Sequence, residues 1–348
     1  MSEHVRGEKR GALGILTLDR PKALNALDAD MCTAIDAQLA SWDADPSVQV
    51  VIIQGAGEKA YCAGGDVRAM YHVGRSGGDV TEFDRMFRRE YRMNYRLARM
   101  NNPVVALVDG IAMGGGLGVS VHAQYRIVTE TTMMAMPEVG IGLFPDIGAT
   151  WFLHQAPGFL GLWLALTGAR IGAAEGLLAR FGTHFVPRDD LGAVVSALEQ
   201  TPDQVASILN RYKGTPPAAT LDPTAWSIID RCFGWDGIDA CLDRLAAEPN
   251  PWAAAQLAAI RAGSPTSVRI TYEALKRSRG ETLDQVLRRE FRMSQACMAG
   301  HDFFEGIRAQ LIDKDRNPQW SPATLAEVDD ALVERHFQPA IQGELSLL

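Results

Sequence analysis

The chain has 348 residues, of which 47% are hydrophobic, and its formal net charge at pH 7 is -8. This length allows a large buried core, in one domain with an extension or in two domains. The acidic balance argues against general nucleic-acid binding, which requires a basic face. No apolar run is long enough to span a membrane, so we expect a soluble globular protein.

The N-terminal segment and the cysteines bear on the cellular compartment. Residues 1–10 are polar and charged and lack the apolar core of a secretory signal peptide. The five cysteines form no CxxC pair and have no accompanying histidine cluster, which argues against a zinc site. These features predict buried, reduced thiols and a cytoplasmic location.

The N-terminal part of the chain predicts two strands and a helix. Residues 14–18 have the branched, apolar composition of a strand, and Asp28 is placed to cap a helix that runs to Trp42. Residues 48–54 are mostly apolar, with a continuous run at residues 50–53, which predicts a fully buried strand. In the loop that follows, Gly65 offers a backbone N–H free of side-chain hindrance.

A helix is predicted over residues 81–100, and a carboxylate lies on its apolar face. Glu90 occurs in the series 83, 87, 90, 94, 97, whose spacing places these positions on one side of a helix. A buried carboxylate requires a partner or a polar ligand. The alternative is a residue at the rim of the buried face whose carboxylate reaches water.

The stretch 101–153 concentrates the residue types that suit chemistry. A strand at residues 104–108 leads to the glycine-rich turn 113–118, which opens an apolar segment of helical length. Backbone N–H groups at such a turn can stabilise an oxyanion, and Gly65 and Gly115 could supply the two halves of one oxyanion hole. Strands are predicted at residues 125–129 and 133–136.

Two acids, Glu138 and Asp146, follow these strands on predicted loops. Acyl chemistry requires a base or nucleophile together with an orienting partner, and two carboxylates near exposed backbone donors could provide both. The alternative is that the glycines serve packing and that the two acids are solvated loop residues.

Beyond residue 153 the strand signals fade and helices dominate. Helices are predicted at residues 160–178, 191–209, 224–245, 252–262, 264–276, 282–298, 302–312 and 323–337, followed by a frayed tail. We therefore expect a core over residues 1–190, with the site, and a helical region over residues 191–348. No repeat of solenoid type occurs.

Three other features receive a structural interpretation. Residues 74–78 match the G-x-S-x-G pattern of serine hydrolases, with His72 nearby. That pattern requires a strand before the serine and a helix after it, whereas this stretch is polar and rich in glycine. His122 and His154 are expected to be packed or hydrogen-bonded histidines and not catalysts.

Taken together, several motifs resemble the crotonase (enoyl-CoA hydratase/isomerase) superfamily. They are Asp19-Arg20-Pro21, Asn25-Ala26-Leu27, Cys62-Ala63-Gly64-Gly65-Asp66, Met113-Gly114-Gly115-Gly116 and Pro137-Glu138. Further stretches, at residues 87–91, 120–122, 135–146, 183–186 and 302–315, are similar to the 3-hydroxyisobutyryl-CoA hydrolase branch, so the likeness covers nearly the whole chain.

The resemblance implies an α/β fold, a crotonase-type spiral of repeated ββα units with an extended helical C-terminal region. It implies hydrolysis of a short β-hydroxyacyl thioester of coenzyme A. Gly65 and Gly115 would bind the carbonyl oxygen, and Glu138 would attack the carbonyl or activate water. Glu90 and Asp146 would line the acyl pocket.

The same resemblance implies that Ala23 and Ala63 contact the coenzyme A portion through backbone groups. It implies no metal and no redox cofactor, because coenzyme A belongs to the substrate. A homo-oligomer, either a trimer or a hexamer, is expected, with no nucleic-acid or membrane partner.

One departure from the hydratase pattern bears on the subclass. Hydratases carry a second catalytic glutamate where this chain has Gly118, and a glycine where it has Asp146. This difference favours the hydrolase branch. An enoyl-CoA isomerase or hydratase, or a non-catalytic acyl-CoA-binding protein, remains the alternative.

Overall fold

The computed structural model describes residues 2–75, 81–340 and 342–347. The predicted G-x-S-x-G motif lies partly outside the described residues, because Ser76, Gly77 and Gly78 fall between the first two of these ranges. Within these ranges, no helix combines the length and the apolar character needed to cross a membrane.

The strands of the described residues form two sheets. Their bounds are β1 Val5–Arg10, β2 Leu13–Leu18, β3 Val50–Gly55, β4 Ala60–Cys62, β5 Val104–Val108, β6 Ile111–Met113, β7 Tyr125–Val128, β8 Met133–Ala135 and β9 His184–Phe185. The larger sheet has the order β1-β2-β3-β5-β7-β9, and the smaller sheet has the order β4-β6-β8. The β1 and β2 strands are antiparallel, and the other pairs are parallel.

From β3 onwards, consecutive strands alternate between the two sheets. The pairs β3 and β4, β5 and β6, and β7 and β8 each contribute one strand to the larger sheet and the next strand to the smaller sheet. This repetition agrees with the predicted spiral. Because neighbouring strands of the smaller sheet are parallel, the segments that follow β4, β6 and β8 lie at the same edge.

Helices make up most of the remaining described residues. Their bounds are α1 Ala29–Asp43, α2 Val67–Arg75, α3 Thr81–Ala98, α4 Gly115–Gly118, α5 Ala149–Phe152, α6 Leu160–Thr167, α7 Ala173–Leu178, α8 Leu191–Gln200, α9 Val205–Arg211, α10 Pro223–Cys232, α11 Ile238–Ala247, α12 Pro251–Ala262, α13 Pro265–Arg277, α14 Leu283–Met298, α15 Asp302–Ile307 and α16 Asp330–Arg335. As predicted, Asp28 caps α1, accepting a 2.8 Å hydrogen bond from the Met31 amide.

Several helix predictions were too long. The predicted helix 160–178 is divided into α6 and α7, because Gly168 ends α6 in the left-handed conformation with φ of 62°. The helix 191–209 is interrupted at Pro202, and the helix 224–245 is interrupted before Gly237, whose φ is 129°. The apolar segment after the glycine turn forms only the four-residue helix α4.

The sequence interpretation also missed four strands, β1, β4, β6 and β9. β1 is exposed along most of its length and rich in charged residues, so it shows no apolar pattern. The other three have only two or three residues. A period of two cannot be recognised in so short a segment.

The two faces of the larger sheet are covered by different helices. Ile52 on one face packs in a cluster with Val194 of α8 and Ile208 of α9. Ile53 on the opposite face belongs to the main core cluster, together with Ile35 of α1. Burial on both faces explains the nearly continuous apolar strands. The helices α8 and α9 follow residue 190, so contacts cross the predicted boundary between 1–190 and 191–348, which stays a prediction.

Candidate active site

Two glycine turns lie side by side at one edge of the smaller sheet. Gly65 follows β4, and Gly115 follows β6, which is the parallel neighbour of β4. A Cβ atom built on Gly115 would lie 3.3 Å from the nitrogen of Gly65, so the two backbone amides are close together. Neither amide donates a hydrogen bond to another backbone group within the described ranges. The turns thus present two close donors to any ligand between them.

The two glycines differ in how much space is available for a side chain. A Cβ atom on Gly115 would collide with Oε1 of Glu90. A Cβ atom on Gly65 would meet only the methyl group of Met86, at an ordinary contact distance of 3.8 Å. A side chain at position 115 would therefore require the Glu90 carboxyl group to move, whereas position 65 has room for a methyl group.

Two of the predicted acids, Glu138 and Glu90, lie next to the turn that contains Gly114 and Gly115. Glu138 follows β8 and begins a 3-10 turn over Glu138–Ile141, at the same edge of the smaller sheet as the two amides. A Cβ atom on Gly114 would lie 2.6 Å from Oε1 of Glu138. Glu90 reaches the turn from α3, where its side chain lies against Gly115. The structure therefore brings Glu90, Glu138 and both glycines together.

Asp146 joins this group through a tyrosine. The Tyr91 hydroxyl donates a 2.7 Å hydrogen bond to Oδ2 of Asp146, and both side chains are buried. Tyr91 directly follows Glu90 on α3. Tyr91 was not among the predicted site residues, although a buried tyrosine hydroxyl usually has a polar partner.

All three acids are buried, with exposed fractions of 4% for Glu90 and 5% for both Glu138 and Asp146. Burial, and next the charge of Asp146, raise the pKa of Glu90 to about 8. The same two causes raise the pKa of Glu138 well above its ordinary value. Burial raises the pKa of Asp146 to about 6, although the Tyr91 hydrogen bond acts in the opposite direction. Burial thus disfavours the charged form of each acid.

The segment after Asp146 is held in an unusual backbone conformation. Ile147 has a φ of 59°, which is rare for a β-branched residue. Glu290 of α14 stabilises this segment, accepting hydrogen bonds of 2.6 Å from the Gly148 amide and 2.9 Å from the Thr150 amide. The Ile147 carbonyl lies 2.7 Å from Nε2 of His122. The C-terminal helical region thereby helps to fix Asp146.

Glu290 and two histidines are polar residues around the three acids. Glu290 was not predicted as a site residue, because its position on a strongly periodic helix gave no signal that it would bind the segment after Asp146. Burial raises the pKa of Glu290 to about 8. As predicted, His122 and His154 contact backbone carbonyls, those of Ile147 and Leu275.

Ala23 and Ala63 belong to two loops that contact each other. Ala23 ends a 3-10 turn, and the Ala63 amide donates a 3.0 Å hydrogen bond to the carbonyl of the next residue, Leu24. The side chain of Asn25 joins the same loops, because its amide nitrogen lies 2.9 Å from the carbonyl oxygen of Ala60. The contact of Ala23 and Ala63 with a ligand stays a prediction.

A cavity of about 400 Å³ opens beside these loops. Its walls include Asp66, which follows Gly65, and Met86, whose methyl group lies next to Gly65. Charged side chains of both signs line it, namely Arg85 and Arg89 together with Asp28, Asp30 and Asp66, and Arg89 forms an ion pair with Asp30. The cavity thus lies beside Gly65 and offers a ligand both cationic and anionic side chains.

In the part of the chain that the structure describes, no three His, Cys, Asp or Glu side chains are arranged to hold a metal ion. The five cysteines are free and buried, as the sequence predicted. The expectation that no metal or redox cofactor is needed stays a prediction.

Curated proteins similar to this chain share one name. The protein from Gallus gallus is 41% identical over 98% of this chain and 90% of its own length, and the protein from Homo sapiens is 41% identical over 99% and 91%. The protein from Rattus norvegicus is 42% identical over 97% and 91%. Each is named "3-hydroxyisobutyryl-CoA hydrolase, mitochondrial".

These names contradict the prediction of a cytoplasmic location, which was wrong. The polar residues 1–10 exclude only the apolar core of a secretory signal, and residues 5–10 of this stretch form β1. That observation does not separate the cytoplasm from the mitochondrion. Reduced cysteines do not separate these compartments either.

Solved structures confirm the fold class. A carnitinyl-CoA dehydratase from Mycobacterium thermoresistibile superimposes with a TM-score of 0.92 at 42% identity, covering 99% of each chain. An enoyl-CoA hydratase from Rhodobacter sphaeroides gives 0.91 at 38% identity, covering 99% of this chain and 100% of its own. The family model for enoyl-CoA hydratase/isomerase matches residues 13–337. The chain therefore belongs to the enoyl-CoA hydratase/isomerase family.

Proposed function

We propose that this chain hydrolyses 3-hydroxyisobutyryl-CoA to 3-hydroxyisobutyrate and coenzyme A. The observation that carries the proposal is the set of three buried acids, Glu90, Glu138 and Asp146, gathered at two close backbone amides. The relatives of 41–42% identity that are named 3-hydroxyisobutyryl-CoA hydrolase support this choice of substrate. Such a reaction belongs to valine catabolism.

In the proposed mechanism, the thioester carbonyl oxygen accepts hydrogen bonds from the amides of Gly65 and Gly115. These bonds strengthen as negative charge develops on the oxygen in the tetrahedral state. Loss of one such donor typically lowers kcat by about 10²- to 10³-fold. The two amides are suited to this role because no backbone acceptor among the described residues occupies them.

Glu138 then has one of two roles. As a nucleophile, its carboxylate attacks the carbonyl carbon and displaces the thiolate, and water cleaves the resulting anhydride. As a general base, it takes a proton from water, whose oxygen attacks the carbonyl carbon directly. In both routes the carbon–sulfur bond breaks, the sulfur leaves with the bonding electrons and gains a proton, and water supplies the oxygen of the new carboxylate.

Either role requires ionised Glu138, although burial raises its pKa. Asp146 and Glu90 would hold the attacking water and the β-hydroxyl group. The coenzyme A portion would extend past Ala23 and Ala63 along the cavity that Arg85 and Arg89 line. This direction is supported by the continuity of that cavity with the segment next to Gly65.

Addition or removal of water is the second candidate, because the two similar solved structures are of a dehydratase and a hydratase. In hydratases of the family a second glutamate stands where this chain has Gly118. A Cβ atom on Gly118 would lie 2.7 Å from Nδ2 of Asn94 and 3.2 Å from Cβ of Ile147. This crowding supports the hydrolase proposal, because no second acid fits there without rearrangement.

The deciding experiment measures free thiol released from 3-hydroxyisobutyryl-CoA and 3-hydroxypropionyl-CoA. We expect catalysed release from both, and a decrease of at least about 10²-fold in kcat for Glu138→Gln. Release by well-folded protein no faster than in buffer would refute the hydrolase proposal. Near-normal turnover by Glu138→Gln would refute the role of Glu138.

Parallel assays address the alternatives. Crotonyl-CoA should keep its enoyl absorbance, and rapid loss would establish the hydratase reaction instead. Proton–deuterium exchange on an unsaturated acyl-CoA would reveal an isomerase, and binding of acyl-CoA without any turnover would reveal a binding protein. Activity should survive a metal chelator. Light scattering would test the proposed trimer or hexamer.

A further inference from the structure

A buried amide side chain lies beside the three acids. Asn94 is on α3, one turn after Glu90 and on the same face of the helix, and its side chain is fully buried. Neither Nδ2 nor Oδ1 has a hydrogen-bond partner among the described residues. Burying an amide without partners is unfavourable by several kcal/mol in an apolar medium. Native proteins rarely retain such a group without a polar partner of another kind.

The position of Asn94 relates it to the glycine turn. Glu90 lies against Gly115, the first residue of α4, and Asn94, one turn further along α3, lies against Gly118, the last residue of α4. A Cβ atom on Gly118 would be within 3.2 Å of both Asn94 Nδ2 and Cβ of Ile147, the residue after Asp146. Asn94 is therefore next to Glu90 on one side and close to the Asp146 segment on the other.

Other unpartnered polar atoms mark the same space. Oε1 of Glu90 and Oε2 of Glu138 are buried and without hydrogen-bond partners among the described residues. Together with the Asn94 amide they form one cluster along the glycine turn, which we call the polar cluster. A group with both donor and acceptor character, such as an alcohol, could satisfy several of its members.

We propose that Asn94 is a specificity residue that binds the β-hydroxyl group of the acyl chain. This inference rests on the proposed hydrolase function. A primary alcohol donates one hydrogen bond and accepts others, and the Asn94 amide offers a complementary acceptor and donor. An acyl chain without the hydroxyl would leave the amide buried and unpaired.

Asn94 suits this task better than the acids alone. Glu90 and Asp146, with pKa values of about 8 and about 6, change protonation near neutral pH, so their donor and acceptor character changes with them. The amide of Asn94 does not titrate. It can therefore recognise the alcohol throughout the pH range in which the acids exchange protons.

The test compares two substrates that differ only in the hydroxyl, 3-hydroxyisobutyryl-CoA and isobutyryl-CoA. Asn94→Leu keeps the branching of the side chain and removes both polar atoms. We expect the ratio of kcat/KM for the hydroxylated over the deoxy substrate to fall by about tenfold, the scale of one lost hydrogen bond. Turnover of isobutyryl-CoA, which has no hydroxyl group to bind the amide, should fall less than turnover of the hydroxylated substrate.

Thr271 provides a matched control. Its hydroxyl, on α13, is also fully buried and unpartnered among the described residues. Thr271→Val removes it with little change of shape and should leave the substrate ratio unchanged. The melting temperature of Asn94→Leu should not fall, because replacing an unpaired buried polar group by an apolar one of similar shape is close to neutral.

Asn94→Ser, with a shorter polar side chain, provides a second variant if Asn94→Leu does not fold, and the same loss of discrimination is expected. An equal fall in kcat/KM for both substrates would overturn the inference, because it indicates a structural or water-binding role. An unchanged ratio would overturn it as well. If the unmodified protein releases no thiol from either substrate, the proposed function fails first, whereas normal release with an unchanged ratio in the variants refutes the role of Asn94 alone.

Discussion

Substituting alanine at Gly115 and at Gly65 should have very different effects. In the proposed mechanism both residues supply an amide to the carbonyl oxygen. However, a side chain introduced at Gly115 would have different neighbours from one introduced at Gly65. A Cβ atom on Gly115 lies 3.3 Å from the Gly65 nitrogen and collides with Glu90, whereas a Cβ atom on Gly65 approaches only Met86, at 3.8 Å.

The magnitude follows from the space that the oxygen requires. A bound oxyanion lies about 2.7–3.1 Å from its donors, so a methyl group 3.3 Å from the Gly65 nitrogen competes for that space. Gly115→Ala should therefore lower kcat by at least about 10²-fold, the effect of losing one oxyanion donor. Gly65→Ala leaves both donors accessible, and we expect its kcat to stay within about tenfold of the unmodified protein.

Gly140 offers a matched control in the turn that follows Glu138. A Cβ atom there meets nothing within 4 Å, and the residue is not among those with positive φ. Gly140→Ala should be active and slightly more stable, since alanine restricts the unfolded chain by about 0.4–1 kcal/mol. The assay is thiol release with circular dichroism as a check of folding. A folded Gly115→Ala protein with kcat within tenfold of the unmodified protein, or equal losses at all three glycines, would refute the reasoning.

Three further changes test the surroundings of the acids. Tyr91→Phe removes a hydrogen bond that lowers the pKa of Asp146, so that pKa should rise above about 6 and the acid limb of kcat/KM against pH should move up by about one unit. Tyr61→Phe removes a buried hydroxyl that donates a hydrogen bond to the Val119 carbonyl, and this change should not move the acid limb. Asp146→Asn should slow turnover more for a hydroxylated than for a deoxy acyl-CoA, and equal slowing would contradict a contact with the hydroxyl. Because the folded-state pKa of Glu290 is raised to about 8, this group binds more protons in the folded than in the unfolded protein, so its contribution to the free energy of unfolding decreases as pH rises from about 5 to 8. In thermal melts, Glu290→Gln should reduce this loss of stability between pH 5 and 8. An unchanged pH dependence of the melting temperature would contradict the contribution of Glu290.

The sequence predicted those parts of the fold that have long, regular patterns. The helix capped by Asp28 and the buried strand around Ile52 follow from propensity and periodicity, and both occur close to the predicted bounds. Of the three strands in the smaller sheet, only β8 was predicted from its pattern, as part of residues 133–136. β4 and β6 have three residues each and were missed, because parallel pairing between distant segments specifies them. Only the family resemblance pointed to their arrangement.

In the candidate site, too, the features with a regular sequence pattern were predicted and those that depend on tertiary contacts were not. Helical spacing placed Glu90 on the buried face of α3, and the structure confirms that burial. The same spacing placed Tyr91 and Asn94 in the helix without revealing their partners, because a single polar side chain on an apolar helix gives no signal of what faces it. Glu290 lies 144 positions after Asp146 in the chain, so its support of that segment depends entirely on tertiary packing.

The C-terminal helices explain how three acids can remain buried at one site. Desolvating carboxyl groups without cationic partners disfavours the folded state, so the surrounding backbone must resist opening to water. The Ser264 amide, at the start of α13, donates a 2.9 Å hydrogen bond to the carbonyl of Val139, which follows Glu138. A Cβ atom on Gly142 would collide with the backbone of Asp302 at the start of α15, so α15 packs closely on the same turn. Glu290 of α14 holds the segment after Asp146 in the same manner. The helical region therefore supplies the walls that keep the acids out of water, and the raised pKa values of the site depend on residues more than 100 positions away in the sequence.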